Sequence, residues 1–441
     1  MLGIRNHPVY PVYPVRINWM KEDIRETKLE NGLVVLTDKM VGVRSATLGF
    51  FYRVGSRNEP DELNGITHFI EHCVFKGSKK RSAMEIAIEQ DRLGGNLDAF
   101  TTHEETGFVI KVIDDQVEAA FDLMADMLTD PRFDDEDCLN EQRVIIEEMK
   151  MNEDSPEELL SDIFHREFFP GHQLGMAITG TPETVKLFDN PRTSQYHREA
   201  FTPANLVFSA AGNVDHEQIL GLIRSLEFSS QTASHAGTLS APSQAAPIFI
   251  EQRPDLEQAH LIIATPMVSA RDPRRYAADL LGNALGGGTS SRLWQKIRED
   301  RGLAYSVGAA TAMYNDTGFF TVTAATSPEQ TGEVLDIVID EMGTIVENGI
   351  SENELDLMKE QTRASILLAL EDSAGRAGSL AQCEMVHGRQ ITVEESLVNL
   401  AAVSAEEVQS LAREFFRAEN IAFVALGDLD GVNVSRHRLS I

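Results

Sequence analysis

Cysteine is scarce: Cys73, Cys138 and Cys383 are the only three in 441 residues, and they form no C-x-x-C. That excludes a disulfide framework and a cysteine-built zinc site, and it fits a reducing compartment. Basic charge is short as well. Lys and Arg number 39 against 69 Asp and Glu, a formal net charge of −30, which excludes nucleic acid as a partner because phosphate contacts need clustered cations. No apolar run approaches the roughly 18–20 residues that span a bilayer. The longest candidates, such as LIIATPMV at 261–268, read as buried strands. The start of the chain, MLGIRNHPVYPVYPVRINWMKED, alternates Pro, Tyr and Val without the basic-then-apolar order of a secretory signal, so the sequence reads as cytoplasmic. The acidic excess has two readings, surface acid for solubility and an acidic chamber that attracts basic peptides. Composition does not choose between them.

What is present is a duplication. FTPANLVFSAAGNV, from Phe201, and FRAENIAFVALGDL, from Phe416, share Phe, Asn and Gly at 201/416, 205/420 and 212/427, and TGF at 106–108 recurs at 317–319. Between the copies, SSQTASHAGTLSAPSQAAP (229–247) holds no Asp, Glu, Lys or Arg and has the composition of a flexible linker. The chain therefore divides into an N-terminal extension (1–21), a first domain (22–228), the linker and a homologous second domain (248–441). Each copy reads as α+β, a mixed and largely antiparallel sheet packed with helices. In the first, LVVLTDK and SATLGFFYRV alternate as strands, Asp61 to Gly77 reads as one helix, and NLDAFTTHEETGFVIKVI reads as a strand pair. Val117, Phe121, Met124 and Leu128 fall at core spacing on a further helix, and Asp134 starts a helix of about five turns.

Within HFIEH, a helix sets His68, Glu71 and His72 at i, i+3 and i+4, on one face. Two neutral imidazoles so placed can grip a zinc ion, and a glutamate between them can hold a water without being a ligand. Short H-x-x-E-H matches also arise by chance on surface or core helices, and a catalytic zinc needs a third protein ligand. The helix over 134–152 offers Glu141 and Glu148 on a common face; Glu147, turned about 100° from Glu148, is not excluded by spacing. His103, His165, His172 and His260 have no ligand-like partner in sequence and read as structural or surface residues. GGGTSSR at 286–292 lacks the ending of a phosphate loop and reads as a turn into a helix capped by Thr289, Ser290 or Ser291.

H-x-x-E-H followed by Glu148 within E-x6-E, together with NGLVVL, FKGS, GGNLDAFTTHEETGF and DSPEELLSDIF, resembles the inverzincin metallopeptidases, the family of pitrilysin, insulin-degrading enzyme and mitochondrial processing peptidase. The likeness covers almost the whole chain. It implies a zinc-dependent endopeptidase with one zinc per chain, held by His68, His72 and Glu148, with Glu71 as general base and Glu141 orienting a ligand histidine. It also implies that Arg298 and Tyr305, in SRLWQKIREDRGLAYSV, hold the substrate and the oxyanion of the scissile carbonyl. DLLGNALGG, Asp279 to Gly287, stands where the first copy has its histidines and cannot rebuild the metal site. The strand around LDAFT would pair with the peptide backbone; Asp98 there departs from the family's frequent Asn. Two domains per chain, against four in larger relatives, imply a homodimer enclosing a chamber for unfolded peptides. The alternative within the same family is a non-catalytic scaffold or partner subunit.

Overall fold

A computed structural model of the protein describes residues 22–226, 228 and 241–441; the extension 1–21 and residues 229–240 of the expected linker lie outside the described residues. The alternating sequences form two sheets. The first contains β1 (Ile24–Lys28), β2 (Val34–Lys39), β3 (Ser45–Tyr52), β4 (Asn96–Thr101), β5 (Thr106–Ile113) and β6 (Leu206–Gly212), in the order β1-β2-β6-β3-β5-β4. Only the β2–β6 pair is parallel. The second contains β7 (Ile248–Gln252), β8 (Ala259–Met267), β9 (Ala304–Met313), β10 (Gly318–Thr326) and β11 (Ala422–Gly427), in the order β7-β11-β8-β10-β9, with β7–β11 parallel. The second order repeats β2-β6-β3-β5-β4, so the duplication is structural. The repeated glycines have a physical cause: Gly212 and Gly427 end equivalent strands at φ of 113° and 149°, and a Cβ on Gly212 would lie 2.2 Å from the carbonyl oxygen of Ser45.

One face of each sheet is covered by helices from its own half. Val117, Phe121, Met124 and Leu128, on the helix Val117–Thr129, are all buried in the first core. The opposite faces are covered by exchange. The helix Pro156–Phe168 (here α3, after α1, Ile66–Cys73, and α2, Asp135–Asp154) follows the first half's helices in sequence but packs Leu160, Ile163 and Phe164 on Ile262, Ala422 and Val424 of the second sheet. In return, of α4 (Arg275–Gly286), α5 (Glu352–Ala369) and α6 (Ser373–His387), the last packs Leu380 and Ala381 on Val34, Leu36, Phe51 and Val207 of the first sheet. Polar contacts pin α6 there: Ser373 Oγ lies 2.8 Å from Thr47 Oγ1, Ser209 Oγ donates to the Ala377 carbonyl at 2.8 Å, and Arg376 is paired with the buried Asp38.

The β4–β5 and β9–β10 turns, equivalent in the two copies, meet between the halves. Asn315 donates its backbone N–H and its Nδ2 to Glu104 Oε2, each at 2.9 Å. Arg57, fully buried, binds Glu104 at 2.6 Å and both oxygens of Asp316 at 2.7 Å. His103 stacks on His165 with ring centroids 5.2 Å apart and meets Tyr314 edge-on. Burial holds both imidazoles below their ordinary pKa, His103 at about 3. These two histidines therefore serve packing between the halves.

Two expectations change. The last part of the linker is held rather than free: Ala245 N–H donates to the Phe168 carbonyl at 2.8 Å, and Gln244 Nε2 to that of Gly318 at 2.7 Å. After GGGTSSR, the helical segment widens into a π-helical turn at Trp294–Glu299 that no hydroxyl caps, and Ser291 Oγ is buried without a hydrogen bond.

Candidate metal centre

The single helix expected over Asp61–Gly77 is three pieces: 3-10 turns at Asp61–Leu63 and Val74–Lys76 flank α1. The break is Gly65, at φ 95°, where a Cβ would lie 2.6 Å from the Thr179 carbonyl oxygen. Gly65 has no capping side chain. Instead Glu59, buried, accepts from Gly65 N–H at 2.7 Å and Thr67 N–H at 2.8 Å, satisfying two donors at the helix start. Burial pushes its carboxyl up to about 7 against those hydrogen bonds. Sequence reading misses Glu59, because nothing distinguishes it from the solvated acids of RNEPDEL.

Two turns of α1 are enough to stand His68, Glu71 and His72 together. The imidazole centroids are 4.6 Å apart. α2 lies against α1 and brings Glu148, whose two oxygens are 3.7 Å from His68 Nε2 and 3.6 Å from His72 Nε2. These separations are long for hydrogen bonds but close to the roughly 3.4 Å between ligands in a tetrahedron with 2.0–2.1 Å bonds. One ligand atom from each of the three residues falls within 4.8 Å of the others. Glu147 turns away to Lys150 Nζ, at 2.7 Å, so it is Glu148 that faces the histidines.

The surrounding contacts prepare this group for a cation. Glu141, buried, accepts from His72 Nδ1 at 3.2 Å and from Lys76 Nζ at 2.8 Å; that fixes the tautomer and leaves the His72 Nε2 lone pair directed at Glu148. Burial, then the neighbouring His72, holds His68 near a pKa of about 3, so it is neutral at physiological pH. His68 Nδ1 is buried without a hydrogen-bond partner. Burial also works to lower the pKa of His72, but the Glu141 hydrogen bond and the charges of Glu148 and Glu71 raise it. A cation between the three groups would supply the positive charge that Glu148 and Glu71 favour there. Two imidazole nitrogens and a carboxylate with one side open are a donor set that suits zinc. Glu71, raised by burial, is not among those donors; its Oε2 accepts from Thr101 Oγ1 at 2.6 Å.

Arg298 and Tyr305 lie elsewhere. The Arg298 guanidinium sits between the Trp294 and Tyr305 rings, 4.2 and 4.4 Å from their centroids, and donates to the Tyr305 carbonyl at 2.7 Å. Tyr305 is 76% exposed at the start of edge strand β9. Among the described residues, neither makes a hydrogen bond, ion pair or ring contact with His68, His72 or Glu148. α4, which precedes β9 as α1 precedes β4, carries Asp279, which accepts from Thr311, and Asn283, which donates to Thr362, and offers no imidazole.

Both parts of the chain match models of one peptidase family. Residues 34–182 match the profile described as insulinase (peptidase family M16), and residues 192–362 match that of the peptidase M16 inactive domain. An uncharacterized zinc protease of Streptomyces coelicolor is 37% identical over 398 residues, covering 89% of this chain and 87% of that protein. One of Bacillus subtilis is 35% identical over 395 residues, covering 89% and 96%. Among solved structures, a protease from Helicobacter pylori superposes with a TM-score of 0.85 at 20% identity, over 92% of this chain and 100% of that one. A peptidase M16 inactive domain from Pseudomonas fluorescens gives 0.86 at 18%, over 92% and 98%. At such identities the structural likeness concerns the fold alone.

Proposed function

The chain belongs to peptidase family M16, and from that premise we propose that it is a zinc-dependent endopeptidase cleaving unfolded peptides or precursor segments in an enclosed chamber. The observation that carries this reading is the convergence of His68, His72 and Glu148 within 4.8 Å, with Glu71 beside them. His68, His72 and Glu148 would hold the zinc, which when bound supplies a Lewis acid for the scissile carbonyl and lowers the pKa of water. Glu71 takes a proton from the attacking water and passes it to the leaving amine nitrogen. Glu141 keeps His72 oriented. A scaffold subunit would have no use for this complete set. Mass spectrometry of a peptide mixture incubated with the zinc-loaded protein, with and without a chelator, tests the reading: cleavage that survives full metal removal, or no cleavage by protein of verified zinc content, rejects it.

The substrate class is peptide, with basic side chains favoured. A cleft of about 530 Å³ is lined by Met149 and Asn152, on the helix that also carries Glu148, and holds Asp61, Glu153 and Asp162 against one cation, Arg166. Arg166 is engaged by Glu167 at 3.0 Å and lies over the Phe249 ring. Burial and then Glu158 push the Asp162 carboxyl up to about 6. Asp162→Asn is expected to raise KM for peptides carrying Arg or Lys by about tenfold, the value of one charge-assisted hydrogen bond, and to leave peptides with neutral residues nearly unchanged. In the wild type the preference for basic over neutral peptides should weaken as pH falls through about 6, because the protonated carboxyl attracts cations less. A KM ratio flat between pH 5 and 8 counts against Asp162.

The assembly is a two-fold homodimer, in which the zinc-bearing domain (22–228) of one protomer faces Arg298 and Tyr305 in the second domain (248–441) of its partner. The exposure of Tyr305 and the absence of any contact between that pair and the metal group within one chain support this arrangement. Glu71→Gln protein and Arg298→Ala/Tyr305→Ala protein, each inactive alone, should regain activity when mixed, because one site of a mixed dimer then carries no substitution. Proven subunit exchange without recovered hydrolysis would exclude it.

A further inference from the structure

β4 is the outermost strand of the first sheet, and its free edge runs beside the metal centre. Strand alternation divides its side chains between two faces. Leu97 and Ala99 pack into the first core, on the side of α1, while Phe100 packs on the opposite face with Phe51. Thr101 shares the face of Leu97 and Ala99, which is why its Oγ1 reaches Glu71 Oε2 at 2.6 Å. Among the described residues no other hydrogen bond is made by the Glu71 carboxylate, so Oε1 has no hydrogen-bond partner among them.

We propose that Thr101 is the positioning residue of Glu71: its hydroxyl engages Oε2, fixes the plane of the carboxylate and leaves Oε1 as the oxygen that receives and returns the proton. The proposal rests on the peptidase reading above. It gives the edge strand a second task. A peptide lying along β4 contacts the strand whose side chain holds the base, so substrate placement and base orientation share one element. The proton taken from water at Oε1 leaves again to the amine nitrogen, so Glu71 ends each turnover as the carboxylate that Thr101 binds. The methyl of Thr101 has no part in this, and a serine should substitute for it.

The test compares wild type, Thr101→Val and Thr101→Ser at equal zinc content, by steady-state kinetics and by crystal structures. Valine keeps shape and removes the donor. It is expected to lower kcat by about 10–100-fold, as a misplaced catalytic group does, with KM within about twofold, and to let the Glu71 carboxylate leave its position. Serine should restore kcat to within about threefold and return the carboxylate to within about 0.5 Å of its wild-type place. Unchanged kcat in the valine variant, an equal loss in the serine variant, or a Glu71 carboxylate that stays in place beside valine would each overturn the proposal. Should wild type itself cleave no peptide, the peptidase reading fails, and the crystal structures still decide whether Thr101 positions Glu71.

Discussion

Glu71→Gln should retain zinc and lose hydrolysis, with kcat down by about 10²–10⁴, the range that a positioned general base contributes. The amide keeps the size of the carboxylate and can still accept from Thr101, so packing around α1 is preserved. It cannot take up a proton from water. Glu71 is not among the three residues whose ligand atoms converge, so metal content by elemental analysis should match wild type while turnover of a quenched peptide falls. KM should change little, because the lost interaction belongs to the reaction step. Near-normal turnover at full zinc occupancy would remove Glu71 from the role of base.

Glu148→Gln should instead lose the metal. Glu148 presents both oxygens to the two histidines, at 3.7 and 3.6 Å, and is the sole anion among the donors. A neutral amide oxygen is a weaker ligand for a divalent cation, and two imidazoles alone hold it poorly. The loss of affinity should exceed the roughly 10–100-fold that removal of an outer-shell partner costs, which is the effect expected of Glu141→Gln. Competition with a chromogenic chelator measures both variants, and the order between them is the informative part. Equal affinities for Glu148→Gln and wild type would point to a ligand outside the group.

Much of this was legible before any coordinates because the signals were local. A five-residue motif fixes the relative placement of His68, Glu71 and His72 once the segment is helical, and the glycines of the repeat mark strand ends where another backbone comes within van der Waals reach. The halves and their sheets follow from alternation and self-similarity. What was illegible depends on long-range packing. Whether Glu147 or Glu148 faces the two histidines is a matter of helix rotation, set by how α2 lies on α1. Glu59 reaches the centre from a separate segment and carries no pattern of its own, and although Thr101 closes the LDAFT stretch, nothing in sequence pairs its hydroxyl with Glu71. The break of the expected helix at Gly65 was hidden as well, since a glycine inside an apolar-periodic stretch can be tolerated in a continuous helix. The exchange of α3 and α6 left no trace at all, because each is an ordinary amphipathic helix whichever sheet it covers.

That exchange has a consequence for how the protein is made. The outer face of the first sheet, with Val34, Leu36, Phe51 and Val207, is complete once β6 has been synthesised, yet its cover, Leu380 and Ala381 on α6, emerges only after most of the second half. At ~5–20 residues/s this apolar face stays open for on the order of ten to thirty seconds on the ribosome. During that interval the open face can bind other apolar surfaces, and on a crowded polysome the α6 of a neighbouring, more advanced chain can dock in place of its own. Such chains would finish as entangled pairs with intact first-half cores, distinguishable from the proposed two-fold dimer by their failure to exchange subunits after dilution.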